Sequence, residues 1–377
     1  MARIVVAPDS FKGSLAAGPA AAAIAEGWRS VRPVDELVPL PQADGGEGTL
    51  DAIASAVPSA RCVAAGPVSG PDGRAVEGRW LSLPDRTAIV ELAQASGLPL
   101  MARPDARRAT TRGLGEVIGR ALDAGATALV IGLGGSASTD GGAGALAALG
   151  LGLADSSGTT LRDGGVQLSR LARVDPGALR PPPAGGVRLL TDVDAPLLGP
   201  HGAAAAFGPQ KGAGPTDVAE LEAALARFAG LLGGEPDRPG AGAAGGTAYG
   251  FAAAWAARIE PGSAAIAQLT GLPGAIADAD VLLTGEGRFD ATSLRGKVVG
   301  NALALASRAG VPAGVVAGRV DADPGCWSAS LTDFAGSEAA ATRRPARWLA
   351  AAGAAAARSM ITGHSPSSGR KSTFPAP

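Results

Sequence analysis

Histidine is nearly missing from this chain: His201 and His364 are the only two in 377 residues. A metal centre built on several histidines is thereby excluded, and a Ser-His-Asp triad has only His201 to draw on. Cysteine is equally scarce. Cys62 and Cys326 lie far apart in no CxxC pattern, so neither a disulfide framework nor a zinc site follows. Aromatic residues make up only 3% of the chain, which leaves the cores to Ala, Val and Leu. No basic run appears and the formal net charge is −1, so nucleic acid and anionic membranes are poor partners. No charge-free apolar run approaches the ~20 residues of a membrane span; the alanine-rich stretch 339–357 is broken by Arg343, Arg344 and Arg347. The opening MARIVVAPD lacks the apolar centre of a signal peptide. These absences predict a soluble, cytoplasmic protein.

Glycine (57) and proline (29) are plentiful but spread among periodic segments, which predicts a folded, loop-rich α/β chain. At ~150 residues per domain the length predicts two domains or three. The most informative stretch is 126–144, ATALVIGLGGSASTDGGAG. Its apolar run reads as a buried strand that empties into a loop of glycines and small hydroxyls. Backbone N–H groups in such a loop can turn towards a ligand. A strand, glycine loop and helix start is the usual cradle for phosphate. Gly134, Gly135, Ser136, Thr139, Asp140 and Gly141 are therefore candidate nucleotide-binding residues. The plain alternative is a tight αβ turn in which glycine serves packing alone. No P-loop exists, because Gly296-Lys297 is followed by Val298. GLGGSA (132–137), with Asp155 ~20 residues on, keeps a dinucleotide reading alive. Asp140-Gly141-Gly142 would make a poor first turn for its helix.

The rest of the chain frames this loop. Strands near 3–7, 35–40 and 61–65, with helices at 17–31 and 49–57, predict a βαβαβ start. Residues 73–92 read as antiparallel strands around Pro84-Asp85. Helices follow at 112–124 and 142–149, then a strand at 187–191, a helix at 216–232, and a loop from 233 leading into a helix to 257. Near 279 the βα rhythm returns, with strands at 279–284 and 314–318, a helix at 298–309 and an alanine-rich helix at 341–361. Residues 362–377 read as a disordered tail. The similar outer segments predict a discontinuous, doubly wound parallel sheet domain, 1–68 with 279–361. A second mixed α/β domain, 69–278, is inserted in it, and the ligand cleft lies between the two.

Five polar, glycine-flanked clusters end predicted strands: APDSFKGS (7–14), ADGGEGT (43–49), GLGGSASTDGG (132–142), TDVDAPLLGP (191–200) and TGEGRFD (284–290). They supply carboxylates, cations and backbone donors, the three needs of metal-assisted phosphoryl transfer. Asp44, Glu47 and Asp290 are candidate Mg²⁺ ligands. Lys12, Asp44 and Asp192 are candidate catalytic groups, with Asp192 as the base. Lys211, Glu286 and Lys297 are candidates on the nucleotide side. Any one of these acids can instead be a turn residue or helix cap, and Lys297 opens a helix whose dipole disfavours a cation. Ser10 and Ser136 have no base beside them in the sequence, so nucleophilic catalysis fits poorly.

Taken together, the segments APDSFKGSL, QADGGEGT, ASGL, ATTRGLGEVI, GLGGSASTDGGAG, TDVDAPLLGPHGAAAAFGPQKGA and LTGEGRFDATSLRGKV resemble the bacterial glycerate kinase family of the first type. They run in order over about residues 1–320. The resemblance implies two α/β domains around a cleft, one of them flavodoxin-like. It also implies transfer of the ATP γ-phosphate to D-glycerate with Mg²⁺, giving 2-phosphoglycerate. Four positions depart from the family pattern: Ala195 in place of Asn, Gln42 in place of Met, and Thr247 and Tyr249 inside a GGLG run. Ala195 bears on substrate choice rather than reaction class. Two other readings stay open, an NAD(P)-dependent oxidoreductase resting on GLGGSA and Asp155, and a non-catalytic nucleotide-binding module. A homodimer is also left open.

Overall fold

The computed structural model describes residues 1–361 except Lys12 and Arg295. The tail 362–377 and the Lys12 candidate therefore lie outside the described residues. Thirteen strands are described: β1 (Arg3–Val6), β2 (Glu36–Pro39), β3 (Arg61–Ser69), β4 (Ala75–Ser82), β5 (Thr87–Glu91), β6 (Ala128–Gly132), β7 (Gly152–Ala154), β8 (Arg173–Asp175), β9 (Val187–Leu190), β10 (Arg258–Glu260), β11 (Val281–Phe289), β12 (Ala313–Val320) and β13 (Trp327–Ser330).

Two sheets dominate. The first has the order β13-β12-β11-β1-β2, and every pair in it is parallel. Counted within the sheet this is the 2-1-3-4-5 winding of a flavodoxin-like domain, whose crevice opens beyond β1 and its third strand, here β11. Ile4 faces Val281 on one side and Leu37 on the other. Ile4, Val5 and Val6 are fully buried, as expected of a central strand covered on both faces. The second sheet, order β10-β9-β6-β5-β4-β3, is mixed: parallel from β10 to β5, antiparallel from β5 to β3. Its residues fall between β2 and β11, so the chain leaves the first sheet and returns to complete it.

The strand read at 61–65 does not continue the first sheet. It runs to Ser69 and pairs antiparallel with β4. Several elements went unread because their three- or four-residue strands carry almost no periodic signal: β7, β8, β10 and β13. Helices Gly262–Leu269 and Leu272–Ala277 were missed too. They lie between the sheets, with Ala265 and Ile266 packed on Val130 and Leu190, and Ala267, Leu272 and Ile276 on Val5 and Leu282. The helix read as one piece at 341–361 is two, Glu338–Arg343 and Pro345–Ser359. Pro345 lacks the N–H needed to continue a helix but suits the first position of a new one. That helix lies tightly on Ala17–Val31: a side chain at Gly27 would meet the Ala350 carbonyl at 1.8 Å, so only glycine permits this approach. No helix among the described residues is long and apolar enough to cross a membrane.

Candidate active site

Two clefts flank a single turn of chain. The first, about 440 Å³, opens beyond the C-terminal ends of β1 and β11, at the winding reversal. Asp9, Asp44, Glu286 and Asp290 line it together with Arg288, Lys297 and Arg319. The second, about 280 Å³, lies over the end of β6. Gly134, Gly135, Ser136, Lys211 and Glu47 contribute to it beside an apolar wall that includes Leu98, Pro99, Val193 and Phe207.

The Asp44-Gly45-Gly46-Glu47 turn joins them. Asp44 faces the first cleft and Glu47 the second. The amide of Gly134 donates to the Gly45 carbonyl at 3.0 Å. A Cβ on Gly134 would stand 2.4 Å from the Gly46 Cα, so the two loops can touch only because residue 134 is glycine.

The glycine loop divides into an open and a closed half. Gly134, Gly135 and Ser136 reach the second cleft. Thr139, Asp140 and Gly141 are buried beneath it and line neither cleft. Asp140 accepts from the Thr111 amide (2.9 Å) and hydroxyl (2.8 Å), and from the amides of Gly142 and Gly144, both 3.2 Å. The expectation of phosphate at the start of the following helix, Ala143–Ala148, is thereby corrected. The first amides of that helix already serve a carboxylate of the chain itself. Burial raises the Asp140 pKa, and these four donors oppose the shift. Thr111, which sequence reasoning missed, sits in the quoted ATTRGLG segment.

Lys211 is only 2% exposed, unusual for a lysine. Its ammonium donates to Ser136 Oγ at 2.8 Å and to the Ser138 carbonyl at 2.6 Å, which leaves its third proton for the cleft. Burial lowers its pKa to about 7, while the nearby Asp140 works to raise it. The Ser138 and Thr139 hydroxyls are buried with no partner among the described residues.

Asp192 lines neither cleft. Its carboxylate caps helix Gly262–Leu269, accepting from Gly262 at 2.7 Å and Ser263 at 3.3 Å. Burial raises its pKa to about 6; the Asp44 charge adds to the shift and the helix amides oppose it. The geometry thus supports a capping role for Asp192 and gives the cleft-lining position to its half-buried neighbour Asp44. Asp290 lines the first cleft and takes the Thr292 amide (2.8 Å) and hydroxyl (2.6 Å), bonds that hold its pKa low. Lys297, the residue just before helix Val298–Ala309, donates to the same Thr292 hydroxyl at 3.1 Å. Asp9, Arg288 and Arg319 were missed as site residues, although Asp9 and Arg288 stand inside quoted clusters.

The three expected magnesium ligands are not brought together. Glu47 faces the second cleft, Asp44 and Asp290 the first. Among the described residues no group of three His, Cys, Asp or Glu could hold a metal. Magnesium often needs only one or two carboxylates, with phosphate oxygens and water completing its shell. The acid-lined first cleft fits that donor set.

The dinucleotide alternative loses its acid. Asp155 follows β7, an edge of the two-stranded β7-β8 ribbon, and accepts from Ser157, Thr159 and Arg170. It is a turn residue, away from the glycine loop's cleft. Gln42, one of the departures, is buried and hydrogen-bonded to the Leu40 and Pro41 carbonyls and to Thr270. Ala195 lines neither cleft; its carbonyl accepts from Gly242.

Known proteins resemble this chain over most of its length. A model of the glycerate kinase family matches residues 4–360. The chain is 40% identical over 332 residues to a protein of Escherichia coli (strain K12) named glycerate 2-kinase, covering 86% of this chain and 87% of that one. It is 41% identical over 332 residues to a glycerate kinase of Bacillus subtilis (strain 168), covering 85% and 86%. A crystal structure described as glycerate kinase 2 from Salmonella typhimurium LT2 superposes with a TM-score of 0.83 at 36% identity, covering 95% of this chain and 98% of that one.

Proposed function

The chain belongs to the glycerate kinase family, and from that premise we propose that it transfers the γ-phosphoryl group of ATP to the 2-hydroxyl of D-glycerate in the cytoplasm. The observation that carries this reading is the pair of clefts sharing the Asp44–Glu47 wall, one acid-lined and the other floored by a buried lysine. The name of the Escherichia coli relative, glycerate 2-kinase, supports the choice of hydroxyl.

In this reading the nucleotide enters the second cleft. Its base rests on the apolar wall, and its phosphates face the Gly134 and Gly135 backbone, Ser136 and Lys211. The hydroxy acid enters the first cleft. Asp44, at the boundary, accepts the proton of the attacking hydroxyl, the role earlier given to Asp192. Asp192 holds the helix that backs Asp44, and Lys297 offsets phosphate charge. Mg²⁺, held by Asp44 with Asp290 or Glu286, would neutralise charge on the β- and γ-phosphate oxygens. Asp140 keeps the loop in shape and favours the charged form of Lys211. Closure of the two sheets over the clefts excludes water, which would otherwise compete for the phosphoryl group. The division into two domains belongs to this proposal, with β3 assigned to the inserted one.

Phosphorus NMR of the product from ATP, Mg²⁺ and D-glycerate tests the proposal. A 2-phosphoglycerate signal is expected. A 3-phosphoglycerate signal would overturn the regiochemistry, and a folded chain giving neither product would overturn the reaction.

A further inference from the structure

Four acids of the first cleft, Asp9, Asp44, Glu286 and Asp290, come from the ends of β1 and β11 and from the shared turn, and a fifth, Glu338, from helix Glu338–Arg343. Arg288 and Arg319 stand side by side among them on neighbouring strands. Their Cα atoms are register partners across the parallel β11-β12 pair. Behind them sits Asp321, which does not line the cleft. One Asp321 oxygen accepts from Arg288 Nε at 2.6 Å and the other from Arg319 Nε at 2.5 Å. The Asp321 amide is in turn fixed to the Phe289 carbonyl at 2.8 Å.

This bracket spends one N–H of each guanidinium. Among the described residues the Nη groups of both arginines have no hydrogen-bond partner, and the side chains remain 64% and 54% exposed. Two guanidinium groups around one carboxylate leave one uncompensated positive charge. The paired Nη groups suit a planar or tetrahedral oxyanion, which arginine binds with two parallel hydrogen bonds. Anchoring both Nε atoms beforehand reduces the side-chain freedom lost on binding.

We propose that Arg288 and Arg319, bracketed by Asp321, form the clamp that holds the carboxylate of the hydroxy acid substrate. This rests on the reading that the hydroxy acid occupies the first cleft. The clamp would set the reacting hydroxyl towards Asp44 and make the site select acids over neutral polyols. A phosphate group of the nucleotide shares the same chemistry, and the kinetic constants separate the two sources.

The test uses the full chain with Arg288→Gln and Arg319→Gln, singly and together. D-glycerate binding is followed by calorimetry, and KM is measured separately for D-glycerate and ATP. The double variant is expected to weaken D-glycerate binding and raise its KM by about thirtyfold or more, with the KM for ATP within about twofold. Its preference for D-glycerate over glycerol should narrow accordingly. Arg319→Lys, which keeps charge but loses the fork, should fall between the single variant and the wild type. Asp321→Asn, which keeps one acceptor oxygen and so can hold only one of the two arginines, should raise the glycerate KM about fivefold. Unchanged glycerate affinity in a folded double variant would overturn the clamp and leave the kinase reading standing. A rise confined to the KM for ATP would assign the pair to phosphate and overturn the carboxylate assignment. A wild-type chain that binds D-glycerate through these arginines but phosphorylates nothing would keep the clamp and overturn the kinase reading.

Discussion

The sequence Asp-Gly-Gly stands at 44–46 between the clefts and again at 140–142 beneath the second one. In the first copy the carboxylate takes one backbone bond, from Gly46, and faces a cleft. In the second it takes three, with a fourth bond from the Thr111 hydroxyl, and is buried. A third copy, at 163–165, uses its acid to pair with Arg112. An aspartate before two glycines is therefore a statement about the local turn. Its use depends on what the rest of the fold brings near it, which for Asp140 is Thr111, some 30 residues upstream.

Replacing both aspartates separates these uses most sharply. Asp44→Asn keeps the turn's hydrogen-bonding shape but removes the proton acceptor. Its kcat should fall about 10²–10⁴-fold with little change in melting temperature, measured by ADP release and by calorimetry. Unaltered turnover would take Asp44 out of the chemistry. Asp140→Ala should do the reverse. Stranding the Thr111, Gly142 and Gly144 amides should cost about 3–5 kcal/mol of stability in denaturant unfolding. A fully stable variant would remove Asp140 from its clamping role.

Lys211→Met tests the floor of the second cleft. The kcat/KM for ATP should drop about 10²–10³-fold. Stability should change little, because relief of an expensive buried charge is offset by the loss of the bonds to Ser136 and the Ser138 carbonyl and of the positive charge near Asp140. A drop in glycerate affinity with ATP kinetics intact would exchange the occupants of the two clefts.

The same lysine predicts a pH effect. Its folded pKa, about 7, lies below the ~10.4 of an exposed lysine. The charged form that would meet phosphate therefore declines as pH rises through 7. The KM for ATP should climb by up to about fiftyfold between pH 7 and pH 9, as the charged fraction falls from about a half to about a hundredth, and this slope should vanish in Lys211→Met. For stability the sign is opposite. Between these two pKa values the unfolded chain binds more protons, so this group's penalty is full below pH 7 and fades towards pH 10. The smallest effect is expected at Asp155. Asp155→Ala should leave kcat/KM within about twofold, at the level of a surface substitution, and NADH fluorescence should not change on adding either protein.

The parts legible in the sequence share a physical cause. Buried parallel strands such as β1, β6 and β11 are continuous apolar runs, so the alternation of strand and helix was readable. The two similar outer segments pointed to one parallel sheet built from both ends of the chain, while its flavodoxin-like winding was implied only by the family resemblance. Strand β3 was misplaced because an apolar run does not announce its partner. The placement of Lys211 beside Ser136 and Ser138 joins residues more than 70 apart, and no local pattern carries that. The capping bonds of Asp192 were hidden for the same reason. The amides it caps belong to helix Gly262–Leu269, which the alanine-rich 256–278 stretch concealed.

The place of the insertion also bears on how the molecule is made. β2 ends at Pro39 and its sheet resumes only at Val281, about 240 residues later. At a typical rate of synthesis that is a delay of roughly 10–50 s. Throughout it the apolar edge of β1, Ile4 to Val6, has no β11 to pair with. The inserted sheet can form in that interval from residues already delivered. By folding it fixes its first and last strands, β3 and β10, on the two edges of one sheet, and so shortens the loop that the outer sheet must close. A nascent chain halted near residue 270 should therefore display the six-stranded sheet complete and the five-stranded one still lacking β11, β12 and β13.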